Sequence, residues 1–257
     1  MTELGLSLLL ASFLLLLGAS AGRLRFLAVE CGSSRVRQAL CLVLLLGVLA
    51  LTVVHPLVAG LPGPRPFRPL GLGELFVGHF VLVAFLAAWW LATRRPPLRR
   101  FLVWPRRRSL EALRAGVRAG IVGWFLAVLG TGTLASLVGL FYSEVSPPEP
   151  PEALLWLVGL PFAERLLVIG VAMTVEEAFF RAFLQPRIGL VPSSLLFAVA
   201  HFSYGLPFLV VGVSIVSFVL GVLFRRTRHI LACIIAHGTF DAIQLLLVLP
   251  ILARFVR

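Results

Sequence analysis

The sequence predicts an all-α membrane protein, a polytopic bundle of about eight transmembrane helices, and three observations carry that prediction. The 257 residues are 60% hydrophobic and only 13% charged, and their mean hydropathy is +1.02, far above that of a water-soluble domain of this size. Apolar runs of the roughly 20 residues needed to cross a bilayer recur from the first few positions to the last. The breaks between these runs hold most of the arginines, and one holds a cluster of prolines that no lipid-exposed helix would tolerate.

Taken in order, the first apolar run covers residues 4–22. Glu3 precedes it and no basic residue does, so the positive n-region of a cleavable signal peptide is missing and the run reads as a retained span. Further spans fall at 39–61, 72–92 and 117–141. The break at 143–152 comes next, with Pro147, Pro148, Pro150 and Pro151. Beyond it come helices at 161–185, 192–204, 207–224 and 230–253. The chain thus divides into an N-terminal group, helices 1–4 within residues 1–142, and a second group, helices 5–8 within residues 143–257.

Arg23, Arg25, Arg35 and Arg37 follow the first span, eight Arg lie between Arg94 and Arg114, and Arg225, Arg226 and Arg228 follow the seventh span. The positive-inside rule makes these loops cytoplasmic and both termini external, with Arg254 and Arg257 pulling against that at the C-terminal end. The same distribution accounts for the net charge of +12. The arginines are spread over helix ends and form no single basic surface, which argues against a nucleic-acid partner and for membrane lipid. Neither Lys nor Asn occurs, a bias that points to a GC-rich bacterial source and so to the inner (cytoplasmic) membrane. Cys31, Cys41 and Cys233 lack metal or redox spacing and read as apolar filler.

Against this background a few residues stand out, because a carboxylate at the centre of a spanning helix costs roughly 2.5–3.5 kcal/mol on insertion scales and so usually has a function. They are Glu176, Glu177 and Arg181 in the fifth helix, His201 in the sixth, and His237 with Asp241, the only aspartate, in the eighth. Glu177 lies ten residues before Arg187, His201 nine after Pro192 and His237 nine after Arg228. At about 1.5 Å of rise per residue, all three sit ~13–15 Å below the cytoplasmic boundary. Three helices thereby place polar groups in one layer. Glu177 and Arg181, four apart, form a structural ion pair. Glu176 points about 100° away and must find partners on other helices, with His201 and His237 available. His237 and Asp241, again four apart, share one face.

The remaining polar residues read more plainly. His55 and His79 near span ends, without carboxylate neighbours, and His229 beside Arg228 are interfacial; Glu164 and Arg165 form a solvated rim; Trp89, Trp90, Trp104, Trp124 and Trp156 mostly anchor the interfaces.

At these polar positions the sequence resembles the CAAX prenyl protease and bacteriocin-processing (CPBP, Abi) family of intramembrane metalloproteases. The family's EExxxR motif reads Glu176-Glu177-Ala178-Phe179-Phe180-Arg181. Its FxxxH reads Phe197 to His201, and its HxxxN or HxxxD reads His237 to Asp241. Order and spacing match over residues 163–249; Ala182 stands where many members have Gly, a matter of helix packing. The first four spans show no such likeness. The resemblance implies hydrolysis of a peptide bond in a membrane-associated or lipid-modified peptide substrate, with a catalytic set of Glu176, Glu177, His201, His237 and Asp241. Within it Glu176 would be the general base, His201 would hold the water and His237 would meet the oxyanion. Asp241 would repel an oxyanion if ionised, so it is protonated, orients His237 or binds metal. Zinc is the expected cofactor, held by His201, His237 and a carboxylate from Asp241 or Glu176. Two other readings stand beside this one. The first is a non-catalytic immunity or scaffold protein that uses the cluster for packing or peptide binding; the second is a proton relay or transporter, for which neither a repeat nor paired interrupted helices are visible.

Overall fold

A computed structural model describes residues 2–60, 69–93, 95–105, 108–141, 152–202 and 207–254. The proline-rich break expected at 143–152 falls almost wholly outside them, as does most of the loop at 61–71. The described residues are 87% helical and include no strand, which makes the protein the polytopic helical bundle that the apolar runs predict. The long helices are α1 (Glu3–Ser20), α2 (Arg35–Gly60), α3 (Val77–Ala92), α4 (Ser109–Phe141), α5 (162–188), α6 (Leu190–Ala200), α7 (Pro207–Thr227) and α8 (Ile230–Leu252). Of these, α1, α2, α4, α7 and α8 are long and apolar enough to cross a membrane by themselves, whereas α3 and α6 are shorter apolar helices.

Two helices depart from expectation. Helix α4 begins at Ser109, not at 117, because its first turns carry Glu111 and Arg114 and hydropathy alone truncates it. Helix α6 is only 11 residues long and stops at Ala200. At about 1.5 Å per residue it rises ~16 Å, half the thickness of a ~30 Å hydrocarbon core, so its end lies inside the bundle.

Prolines within helices leave a second mark. Helices α2, α5 and α8 each contain a π-helical stretch, Ala50–Val54, Ala178–Leu184 and Ile243–Val248, and each stretch lies just before Pro56, Pro186 or Pro250. Proline donates no hydrogen bond and crowds the preceding turn. The residue before each proline instead bonds five residues back: His55 N–H to Ala50 O, Gln185 N–H to Phe180 O and Leu249 N–H to Gln244 O. The widened turn absorbs the steric conflict without breaking the helix. In α8, Pro250 cannot supply the next such bond, to Leu245 O, and the Arg165 Nη1 group donates to that carbonyl at 3.1 Å. Arg165 therefore has a backbone partner inside the bundle and is not simply a solvated rim.

The main core joins both halves of the chain. Val53, Phe85 and the fully buried Trp89 pack with Phe179, Phe183 and Phe197 in one apolar cluster. The Trp89 ring meets Phe183 edge-on at 4.9 Å, and its Nε1–H donates to Glu30 at 2.8 Å, so it is a core residue and not an interfacial anchor. The segments expected on the cytoplasmic side gather on one face. Arg187 Nη2 pairs with Glu30 at 2.8 Å, Arg23 reaches the Ile188 carbonyl at 3.4 Å, and Ile230 N–H donates to Val103 O at 3.0 Å. His229 is buried there at 2% exposure, where its Nδ1 accepts from Leu231 N–H and caps α8. Burial lowers its pKa below the usual imidazole value.

Helices α4 and α8 approach closely along Gly116 and Gly120, one turn apart. A Cβ added at Gly120 would lie 2.5 Å from Ala236 O and 2.6 Å from Thr239 Cβ; one at Gly116 would lie 2.7 Å from Ala232 O. The carbonyl contacts are with backbone, which cannot yield without separating the helices. Gly120→Leu is expected to lower stability by about 1–3 kcal/mol, as read by thermal or denaturant unfolding in detergent. Gly132→Leu, where a Cβ meets nothing within 4 Å, should leave it near wild type.

Candidate active site

The site begins with two neighbouring glutamates on α5 that point to different helices. Glu177 turns into the bundle and is fully buried, as is Arg181. The Arg181 Nε–H donates to Glu177 Oε2 at 3.2 Å, its Nη2 donates to Ser217 Oγ of α7 at 2.8 Å, and its Nη1 donates to Ser194 Oγ of α6 at 3.4 Å. Its guanidinium also stands 5.3 Å over the Phe197 ring. The other oxygen of Glu177 accepts from His237 Nδ1–H of α8 at 3.0 Å. The ion pair read from the sequence is present, and it ties four helices together.

Glu176 faces the other way. Its Oε1 lies 3.1 Å from His79 Nε2 of α3, and its Oε2 lies 3.7 Å from His201 Nε2 at the end of α6. Among the described residues no hydrogen-bond partner reaches Oε2, although the atom is buried. His201 is one of the two partners expected for Glu176. The nearest carboxylates to His237 are instead Glu177 and, at 3.5 Å from its Nε2, Asp241. His79 is a correction to the sequence reading: the residue assigned to the interface is 19% exposed in its side chain and holds the site's glutamate. No carboxylate lies near it along its own helix, so pairing between helices was the only possible signal.

The early end of α6 makes room for this arrangement. His201 follows the last helical residue and donates its Nδ1–H to Phe197 O at 2.8 Å, while its ring stacks on Phe197 with centroids 4.5 Å apart. A neutral ring held in this way presents the Nε2 lone pair away from the helix. Beside it lies a cavity of about 250 Å³, lined by Glu176, His201, His237 and Asp241 with Trp124 and Gln244 among the walls. Trp124 Nε1–H donates to Gln244 Oε1 at 2.9 Å, so this tryptophan belongs to the cavity wall and not to an interfacial belt. A larger, more open apolar groove of about 480 Å³ runs along α5 and α8 past Met173 and Gly238, but no ionisable side chain lines it.

Charge balance restricts the protonation states. Of the three carboxylates Glu176, Glu177 and Asp241, among the described residues only Glu177 is paired with a guanidinium, that of Arg181. Buried charges of one sign are tolerated only when paired, so protons on imidazoles or carboxyls must make up the difference. The 3.5 Å approach of His237 Nε2 to Asp241 is attractive only when one of the two carries a proton, because the Nδ1 proton is already committed to Glu177.

The donor types at the cavity, two imidazoles and two carboxylates, are those a zinc site uses. They stand as two pairs, Glu176 with His201 and His237 with Asp241. The separations of 3.7 and 3.5 Å are close to the ~3.3–3.5 Å between ligands of a tetrahedral ion with ~2.0–2.1 Å bonds. Among the described residues, no group of three or more His, Cys, Asp or Glu is gathered so as to hold an ion. A third ligand would require the pairs to close toward each other.

Residues 152–243, which contain both glutamates, both cavity histidines and Asp241, match the family model described as type II CAAX prenyl endopeptidase, Rce1-like. This segment is similar to an Rce1-like domain. The chain also shares 39% identity over 69 residues with the uncharacterized protein YpbD of Bacillus subtilis (strain 168). That match covers 26% of this chain and 36% of YpbD, so the chain spans about a third of the length of the curated relative it matches. No solved structure matches the chain. The Rce1-like domain agrees with the resemblance carried by the three motifs and with a CAAX-protease-like peptidase embedded in a membrane. His79 and Trp124 lie outside the matched residues.

Arg181→Met should destabilise the protein by about 3–5 kcal/mol, because it leaves Glu177 as an unpaired charge in the core. Adding Glu177→Gln to that variant should recover part of the loss in detergent unfolding experiments. An additive double mutant would contradict the coupling.

Proposed function

We propose that the protein is an intramembrane endopeptidase of the bacterial inner membrane that hydrolyses a peptide bond in a membrane-associated or lipid-modified substrate. One observation carries the reading. Glu176 Oε2 is a buried carboxylate oxygen with no hydrogen-bond partner among the described residues, on the wall of a cavity and opposite the Nε2 atom of His201. A polar atom left unsatisfied in an apolar interior is costly, and a cluster kept only for packing would satisfy it, as the neighbouring Glu177 is satisfied. A scaffold kept for helix packing supplies no reason for an unsatisfied oxygen at a cavity wall.

In the proposed reaction a water sits between Glu176 Oε2 and His201 Nε2. Glu176 takes one of its protons as the water oxygen bonds to the scissile carbonyl carbon, and the carbonyl π electrons move to oxygen. His237, protonated on Nε2 and oriented through Nδ1 by Glu177, donates to that oxyanion, and Asp241 balances the imidazolium. When the tetrahedral intermediate collapses, the C–N bond breaks, and Glu176 returns its proton to the leaving nitrogen. Glu177 and Arg181 touch no reacting atom in this scheme; they hold His237. Asp241, a neighbour of opposite charge, accounts for how a carboxylate can stand beside an oxyanion site.

Zinc gives this proposal a second form. Its ligands would be His201, His237 and the carboxylate of Asp241 or Glu176, once the two donor pairs close toward each other. When bound, the ion would act as a Lewis acid toward the water or the carbonyl.

Glu176→Gln is expected to lower cleavage by purified protein at least ~10²-fold, within the range of general-base contributions, with unfolding unchanged. Retained cleavage would refute the assignment. Metal analysis together with activity before and after chelation separates the two forms. About one zinc per chain and chelator-sensitive cleavage support the zinc form, and full cleavage by metal-free protein removes it.

A further inference from the structure

We infer that His79 is a positioning residue for the Glu176 carboxylate, supplied by a helix that lies outside the Rce1-like segment; this rests on the reading of Glu176 as the general base. His79 Nε2 lies 3.1 Å from Glu176 Oε1. A carboxylate of an ionised glutamate only accepts, so the imidazole must donate through Nε2. The other ring nitrogen, Nδ1, is buried and has no partner among the described residues. A neutral imidazole carries one N–H, and the tautomer with hydrogen on Nδ1 would leave a buried donor unpaired. The tautomer bonded to Glu176 is therefore the favoured one. Glu176 receives the only polar contact the ring has among the described residues, which is a specific reason for a histidine within an apolar helix.

The consequence falls on Glu176. The terminal torsion of a glutamate is broad and roughly two-fold, so an unrestrained carboxylate exchanges its oxygens and tilts. With Oε1 fixed by His79, Oε2 is the oxygen presented to His201 and the cavity, and it is the atom left without a partner. The side chain that holds it is itself held. The Phe76 ring meets His79 edge-on at 5.8 Å. Farther along α3, Phe85 packs against Phe179 at 5.5 Å and against Phe183 at 5.0 Å, while Trp89 packs against Phe183 at 4.9 Å. These interlocked rings fix the register of α3 on α5, and with it the distance from His79 to Glu176. The proposed peptidase site is thus completed by the N-terminal half of the chain.

The test compares His79→Leu and His79→Gln in the full-length protein, alone and combined with Glu176→Gln, by steady-state cleavage and thermal unfolding in detergent. Misplacement of a reacting group by about 1 Å can cost ~10²-fold in rate. His79→Leu should accordingly lower kcat ~10- to 100-fold with KM within about twofold of wild type. His79→Gln keeps an N–H donor and should recover most of that loss. In the Glu176→Gln background, His79→Leu should have no further effect. Wild-type kcat in His79→Leu overturns the inference, and so do equal losses in the Leu and Gln variants that track a lowered unfolding temperature. If Glu176→Gln is inactive while His79→Leu is fully active, the positioning role alone fails. If Glu176→Gln cleaves like wild type, the general-base reading fails and the role of His79 falls with it.

Discussion

A guanidinium and a carboxylate with no exposure to solvent are tenable only if every hydrogen-bonding site around them is filled, and the second half of this protein is organised around meeting that condition for Glu177 and Arg181. The partners cannot come from α5 alone. Ser194 is drawn in from α6, Ser217 from α7 and His237 from α8, which fixes the relative rotation of four helices. Leaving one of these groups unpaired costs far more than a neutral hydrogen bond contributes, so the network selects one packing of the bundle over its near alternatives. The orientation of His237 toward the cavity is a by-product of this constraint, since the Nδ1–H bond to Glu177 leaves only Nε2 to face Asp241 and the open space.

Two adjacent glutamates thus serve opposite ends. Glu177 is saturated and immobile, whereas Glu176 is anchored through one oxygen and unsatisfied at the other. The ~100° step between neighbouring helical positions is enough to send one into a polar lock and the other to a cavity. That cavity exists because α6 ends halfway through the bundle. Irregular backbone at membrane depth is tolerated where it is enclosed by protein or lines a cavity, and the end of α6 at His201 fits that rule, with the His201 ring closing back on the Phe197 carbonyl.

Much of this is legible in residue order. The apolar runs specify a helical bundle, the i, i+4 spacing specifies the Glu177–Arg181 pair, and matching depths on three helices specify the polar layer. The features that residue order hides depend on how helices rotate against one another. His79 has no acidic neighbour along α3, and its partner is 97 residues away. Trp124 and Trp89 look like interfacial aromatics because hydropathy cannot say that Gln244 and Glu30 meet their indole N–H groups. The partner of His237 is hidden for a related reason: both glutamates are within reach of α8 at the level of depth, and only the azimuth of α5, set beside its π-helical stretch, decides between them. The expected end of α6 near Tyr204 overshoots its last helical residue, Ala200, because no proline or glycine marks the stop before Gly205.

The prolines connect these points. Pro186 and Pro250 each come after a widened turn on a helix that contributes to the site, and the widened turn of α5 begins at Ala178, directly after Glu177. An added residue in one turn rotates the helix on its N-terminal side relative to the helix on its C-terminal side, so the face that presents Glu176 and Glu177 is set independently of the face that places Arg187 against Glu30. A regular α-helix through this region would couple the two, and one of the two ion pairs would lose its partner. The proline that looks like a defect in a spanning helix is in this sense the feature that allows α5 to carry one ion pair in the core and another at its end.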